Sequence, residues 1–388
     1  MEHVIIIGGG GTGAALAHDL SLRGFEVSLF EKGGLISGTT GRHHGLLHSG
    51  ARYAVHDPEA ARECARENAI LRTIAPGVIE QNGGLFVAID DADLSYAREF
   101  IDHCRRCDVP VREIDPRLAL SMEPALTPGI RCALEVSDAT VDAWRLPLQF
   151  FATARAEGAV IRQFSEVTGI LRTGDCVTGV MVHDHRRQIN YDVTGDMVVN
   201  AAGAWAGLVS GLAGIPLPIQ PAPGAMVSLK GRLTNRVINR LHSPGEGDII
   251  VPQRNLTILG TSIWHSDDPD SYDVPPEDVE RLIDACAVMV PAVGDAALHA
   301  AWSAVRPLLG TGDAADLWQA SRDFECYDHA VTDHLEGMVS VIGGKATTMR
   351  SMAEETADLI CRKTGRDIPC RTATETLLSY RLFYRSES

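Results

Sequence analysis

Apolar positions along this chain alternate between strand-like runs and helix-like spacing from its first residues. His3 to Ile7 is a short, mostly β-branched run, suited to a strand buried on both faces. Glycines at 8, 10 and 13 come next, then a helix-like stretch from Ala14 to Leu22 that Gly24 stops. A second strand is predicted from Glu26 to Phe30, ending in Glu31. Farther on, Asp57 can cap, and Pro58 can open, a helix over Ala60 to Ile74 that ends before Pro76. Phe86 to Ile89 predicts a strand and Leu94 to Cys107 a helix. Val160 to Val182 predicts strands parted by the Gly174-Asp175 turn, and Met197 to Asn200 another strand. From Ile219 to about Gly310 short strands (Met226 to Leu229, Ile249 to Val251, Leu256 to Gly260) accompany one helix near Pro276 to Met289. The tail returns to a strand (Met338 to Ile342), a glycine pair and a helix (Thr347 to Lys363). Such a return fits a doubly wound sheet assembled from distant segments.

Composition narrows the class. The 388 residues suit two interleaved domains sharing a core, and 45% hydrophobic with 22% charged residues is ordinary globular usage. A formal net charge of −16 argues against a nucleic-acid or anionic-membrane surface, though a pocket inside an acidic protein can still be positive. Val4 to Ile7 is too short and too acidic in its approach for a secretory leader. The uncharged run Met197 to Gly214 holds Asn200 and four glycines, and it reads as a buried strand-turn-helix rather than a membrane span. Nine cysteines without a leader suggest reduced thiols and a cytoplasmic protein, or one peripheral to the membrane. The lone Cys104-x-x-Cys107 pair has neither a second pair nor histidines at ligand spacing, so no metal site is expected.

The chemistry begins at the glycines. In GxGxxG, Gly8 allows the tight turn, Gly10 lets the backbone approach a pyrophosphate, and Gly13 lets helix pack on strand. Glu31 stands eighteen residues after Gly13, where an acid accepts hydrogen bonds from ribose hydroxyls and disfavours a 2′-phosphate. The loop after this acid favours FAD over NAD. Ser37 to Gly50 reads SGTTGRHHGLLHSG, with three histidines and four glycines where a nicotinamide enzyme continues with a regular βα unit. Gly343-Gly344-Lys345, at the start of the last long helix, offers backbone N–H groups to negative charge on a reduced flavin.

With these stretches in view, the chain resembles the FAD-dependent glycerol-3-phosphate dehydrogenases, most closely the flavin subunit of the anaerobic bacterial enzymes. VIIIGGGGTGAALAHDLSLRG, GTTGRHHGLLHSGARY, VVNAAGAW, WSAVRPL and GGKATTMRSMAEETADLIC carry the resemblance over nearly the whole chain. It implies an α/β fold: a Rossmann-like FAD-binding domain of the D-amino-acid oxidase type with an interleaved mixed-sheet (α+β) substrate domain. Residues 1–84, 141–216 and 331–388 would form the first, and 85–140 and 217–330 the second. The implied reaction is oxidation of the secondary alcohol of sn-glycerol 3-phosphate, hydride leaving its C2 for flavin N5. Non-covalent FAD would be held by Gly8, Gly10, Thr12, Gly13, Glu31, Lys32, Thr39, Thr40, Arg42, His44, Gly45, Val167, Ala202, Gly203, Gly343, Gly344, Lys345, Ala346 and Thr347. Arg52, Tyr53, Arg322 and Lys345 match substrate contacts, and Arg306 the arginine near the reacting alcohol. A dianion needs two or three converging cations, and the planar fork of arginine binds its oxygens in pairs. His44 and His48 are the candidate bases, since an imidazole titrates near neutrality.

Three departures bear on that transfer. The anaerobic flavin subunit continues into a cysteine-rich region associated with iron–sulfur electron transfer, whereas this chain stops at Ser388. Electrons are therefore expected to leave to dioxygen, a soluble acceptor, a quinone or a partner subunit. Pro223 stands where a lysine usually precedes the glycine. His43 replaces the asparagine of the GRNHG stretch, and Ala346 and Met349 depart from GGKLTTYR. A phosphonate or another phosphorylated alcohol is thus a candidate substrate beside glycerol phosphate. A 2-hydroxy acid or amine oxidase on the same fold, or a flavin subunit serving an electron-transfer partner, are the alternatives.

Overall fold

In the computed structural model, residues 2–245, 247–310 and 324–385 are described. Six strands form the first sheet, in the order Phe324–Asp328, Met338–Gly343, Met197–Asn200, His3–Ile7, Glu26–Glu31, Val160–Gln163. All neighbours are parallel except the edge pair of Phe324–Asp328 on Met338–Gly343. The expected substrate segment ran to residue 330, but Phe324–Asp328 joins this first sheet because its ladder partners lie there, Phe324 opposite Gly343.

The apolar run at the start of the chain serves two cores. Val4 and Ile6 face a cluster with the helices, while Ile5 and Ile7 face the strands Ser165–Thr173, Cys176–Asp184 and Ile189–Thr194. Period-two alternation thus explains why every one of these positions is apolar. Gly11–Leu22 is crossed by Arg145–Ala156 and Met349–Thr364 on one face of the sheet. Ten of its twelve residues are buried, and its alanines keep the neighbouring helices close.

The second sheet has eight strands, in the order Leu298–Leu309, Ile219–Lys230, Leu256–Gly260, Ile249–Gln253, Val237–Arg240, Gly84–Ala88, Cys132–Val136, Val111–Ile114. Helix Pro276–Ala287 covers one part of it, with Leu282 and Cys286 among Leu85, Val227 and Ile250. Helix Asp91–Arg106 covers another, with Phe100 against Phe86. A buried pair ties distant segments together: the guanidinium of Arg350 donates to both carboxylate oxygens of Glu67, at 2.7 and 2.6 Å. Removing one partner of such a pair leaves a buried charge uncompensated. The uncharged run Met197 to Gly214 is a strand, a short 3-10 turn and the helix Ala206–Gly211. Among the described residues no helix is long and apolar enough to cross a membrane.

His18 lies in the middle of Gly11–Leu22, fully buried against Phe150 at 5.6 Å between ring centroids. Neither ring nitrogen has a hydrogen-bond partner among the described residues, and burial pulls the ring down to about 4. The unfolded chain, near the ordinary value of 6.5, therefore takes up a proton before the folded one does. Stability should be full above about pH 6.5 and fall by about 3 kcal/mol as the pH drops to 4. Urea unfolding at pH 7.5 and pH 5 checks this: His18→Leu is expected to lose less stability between the two than the parent chain does.

Candidate active site

The glycine turn is shaped by contacts that no side chain tolerates. Gly8 has φ +115°, and a Cβ there would sit 2.5 Å from the carbonyl oxygen of Ala201. At Gly13 a Cβ would sit 2.0 Å from the carbonyl oxygen of Gly8, so this residue makes the strand-to-helix contact and does not line the cleft. The helix opens at Gly10, which supplies no side-chain cap of its own, and a helix amino end of this kind suits an anionic ligand. Glu31 accepts from the N–H of Gly9 at 2.7 Å and of Gly33 at 2.8 Å, one bond per oxygen. Glu31 itself lines the cleft, and each carboxylate oxygen has a further lone pair with which to accept.

That cleft holds about 580 Å³. Of the expected cofactor contacts, Gly8, Gly10, Thr12, Glu31, Lys32, Thr39, Thr40, Arg42, Val167, Ala202 and Gly203 line it. Thr40 takes the N–H of Gly11 on its hydroxyl at 2.9 Å, so the loop is bonded to the turn it faces. Three further residues wall the cleft, Trp205 of the VVNAAGAW stretch and two that carry no signal in the sequence, Asp270 and Tyr272. Asp270 accepts from the indole N–H of Trp205 at 3.1 Å and lies 3.9 Å from Lys32, and Tyr272 carries the guanidinium of Arg42 over its ring at 3.9 Å. Asp270 and Tyr272 belong to an irregular stretch between strand Leu256–Gly260 and helix Pro276–Ala287, without a motif to mark it.

A second cavity of about 140 Å³ shares Thr39 with the first. His44, His48, Tyr53, Arg306, Gly343, Gly344, Lys345 and Ala346 all line it, drawn from three distant segments, with His43 beside them. The α-helix after the glycine pair starts later than expected, at Met349, because Ala346–Thr348 forms a 3-10 turn. The histidines differ in what they can do. His44 accepts the N–H of Leu46 on Nδ1 at 3.0 Å, and His43 that of Gly45 at 2.9 Å, so each neutral ring carries its proton on Nε2. His43, half-buried and largely desolvated, is pulled down to about 4 and stays neutral at physiological pH. His48 is nearly buried; its N–H donates to Thr347 Oγ1 at 3.1 Å, its carbonyl accepts from Asn68 at 3.2 Å, and Nε2 meets the hydroxyl of Tyr53 at 3.5 Å. Lys345 Nζ stands 5.2 Å from the ring centroid of Tyr53.

Besides Gly13, three expected contacts sit elsewhere. Arg52 lines neither cavity: its guanidinium donates to Asp248 at 2.7 Å and to the carbonyl of Gly245 at 3.4 Å. Burial opposes its charge, but Asp248 outweighs burial and holds its pKa above the ordinary arginine value. Gly45 is a packing position, where a Cβ would fall 1.8 Å from Gln253 Nε2. Thr347 is buried and acts on the site through the backbone of His48. Arg322 lies outside the described residues.

A glycine-lined cleft with an acid at the end of the second strand, continuing into a cavity with basic groups, fits FAD. A family model described as FAD dependent oxidoreductase (DAO) matches residues 3–358. The chain belongs to that family. FAD is therefore its cofactor. It is 41% identical over 96% of its length to the anaerobic glycerol-3-phosphate dehydrogenase subunit A1 of Haloferax volcanii, covering 66% of that protein. It spans about two thirds of the length of the curated relatives it matches. Two solved structures share the fold. The glycerol-3-phosphate dehydrogenase of Bacillus halodurans complexed with FAD superposes with a TM-score of 0.75, at 23% identity over 97% of this chain and 68% of that one. Glycine oxidase of Bacillus cereus does so with 0.76, at 22% identity over 95% and 98%.

If Asp270 and Tyr272 close the nucleotide end of the cleft, loosening them should release cofactor. Tyr272→Ala is expected to weaken FAD binding about fivefold, the loss of one cation–π contact, without altering the visible spectrum of bound flavin. Flavin fluorescence after dilution measures it; unchanged retention contradicts the assignment.

Proposed function

We propose that this oxidoreductase converts the secondary alcohol of sn-glycerol 3-phosphate, or of a close phosphate or phosphonate analogue, to the ketone. The observation that carries this reading is the placement of Arg306 and Lys345 on one small cavity beside His44, His48 and Tyr53. The roughly 40% identity to proteins named anaerobic glycerol-3-phosphate dehydrogenase subunits supports the substrate. The chain's net charge of −16 repels anions at long range, so two cations on one cavity mark a local preference.

Bound FAD supplies the two-electron acceptor. The protein's own groups bind, orient and manage the proton. Lys345 holds the anionic end of the substrate, and Arg306 stabilises negative charge developing on the alcohol oxygen. His44, protonated on Nε2, donates a hydrogen bond and is not the base in that state. His48 takes the hydroxyl proton on Nε2, the atom that faces Tyr53, with its backbone pinned by Thr347 and Asn68. The six-stranded sheet carries the cofactor, and the eight-stranded sheet brings Arg306 to it. The relatives are named as subunits, so a partner is one acceptor for the electrons; dioxygen, quinone and a soluble acceptor are the others. The protein works in the cytoplasm or at a membrane surface.

One observation favours a second reading. With Arg52 bound to Asp248, Arg306 and Lys345 are the basic side chains lining the cavity among the described residues, and the single carboxylate of a 2-hydroxy acid needs no more. Anaerobic mixing of the yellow protein with glycerol 3-phosphate, a hydroxyalkyl phosphonate, 2-hydroxy acids and amines separates the two. Bleaching by the phosphate or phosphonate is expected; bleaching by a hydroxy acid or amine alone overturns the proposal. His48→Asn should slow that bleaching about a hundredfold while FAD stays bound.

A further inference from the structure

Arg306 lies on the strand Leu298–Leu309, directly opposite Ala222 on Ile219–Lys230. Its side chain runs over the neighbouring strand, because a Cβ at Gly224 would sit 2.4 Å from Nη1 and 2.8 Å from Nη2. Glycine there leaves the room that the guanidinium fills. Beyond it, Nη2 donates to the hydroxyl of Thr261 and, at 3.4 Å, to the carbonyl of Ser262.

Thr261 and Ser262 stand where Leu256–Gly260 parts from Ile219–Lys230. That pairing runs only from Met226 opposite Gly260 to Lys230 opposite Leu256. Farther along, Pro221 and Pro223 have no N–H to extend it, and their carbonyls accept from Ser266 and Trp264 instead. The departing segment is nevertheless fixed. Ser262 is buried; its hydroxyl accepts from the N–H of Ala225 at 3.1 Å and donates to Asp278 at 2.6 Å. Asp278, itself buried, belongs to the first turn of helix Pro276–Ala287. A chain of bonds therefore runs from that helix through Ser262 and Thr261 to the guanidinium at the cavity.

We infer that Thr261 is a positioning residue for Arg306, holding the guanidinium at one place on the cavity wall, with Gly224 giving it room and Asp278 anchoring the segment. This rests on the reading that Arg306 stabilises charge on the reacting alcohol. An arginine side chain has many rotamers, and fixing it beforehand removes an ordering cost from the reaction.

The test uses the FAD-loaded full chain. Thr261→Val is expected to lower kcat for glycerol 3-phosphate at least tenfold with KM within about twofold, while Thr261→Ser stays within about threefold of the parent. In an Arg306→Ala background, Thr261→Val should have no further effect. Crystal structures give a readout that needs no substrate: the guanidinium should leave its place over Gly224 in Thr261→Val and keep it in Thr261→Ser. An unmoved guanidinium with parental kcat, or an equal loss in the Arg306→Ala background, overturns the inference. Parental turnover by Arg306→Ala removes the reading of Arg306 as well, whereas loss with Arg306→Ala and none with Thr261→Val removes this inference alone.

Discussion

Two hydrogen bonds fix where the cofactor cleft meets the substrate cavity. The hydroxyl of Thr39 donates to the carbonyl of Val305 at 2.5 Å, and the indole of Trp302 donates to the carbonyl of Arg42 at 2.6 Å. Both join the glycine- and histidine-rich loop of the first sheet's side to one strand of the second sheet, and Arg306 is the next residue after Val305. Because Thr39 lines both cavities, the strand that touches it delivers Arg306 to their junction. The loop that lines the cleft and Arg306 on the smaller cavity are thus placed by the same contact.

The charge pattern reflects what is buried where. Arg52 and Arg350 are both largely withdrawn from solvent and both answered by carboxylates, Asp248 and Glu67. Arg306 lines the smaller cavity, and its bonds to the hydroxyl of Thr261 and the carbonyl of Ser262 orient its guanidinium. His43 and His44 each accept a backbone N–H two residues on, a local bond that sets the tautomer of the neutral ring before any substrate arrives.

The strands, the long helices and the glycine turn are legible in the sequence because period and punctuation suffice there: the run Val4 to Ile7, the cap Asp57 with Pro58, and the spacing of Gly8, Gly10 and Gly13. The gathering of His44, His48, Tyr53, Arg306 and Lys345 on one cavity came from resemblance, since no local rule brings residue 48 to residue 306. The sequence does not show the bond that holds Arg52, because its partner, Asp248, lies 196 residues away and nothing in HSGARY announces it. Asp270, Tyr272 and Thr261 are not visible there for the same reason. They sit in irregular segments, and their roles appear only when the second sheet's connections fold over the first.

The chemistry proposed for this site requires one anion to sit between Lys345 and Arg306, beside His48. A crystal structure of the FAD-loaded protein soaked with dihydroxyacetone phosphate reads that placement without intermediate steps. Density for the compound is expected in the 140 Å³ cavity, its phosphate on Lys345 and its carbonyl facing Arg306 and His48. Density at another place, with that cavity holding only solvent, would refute it.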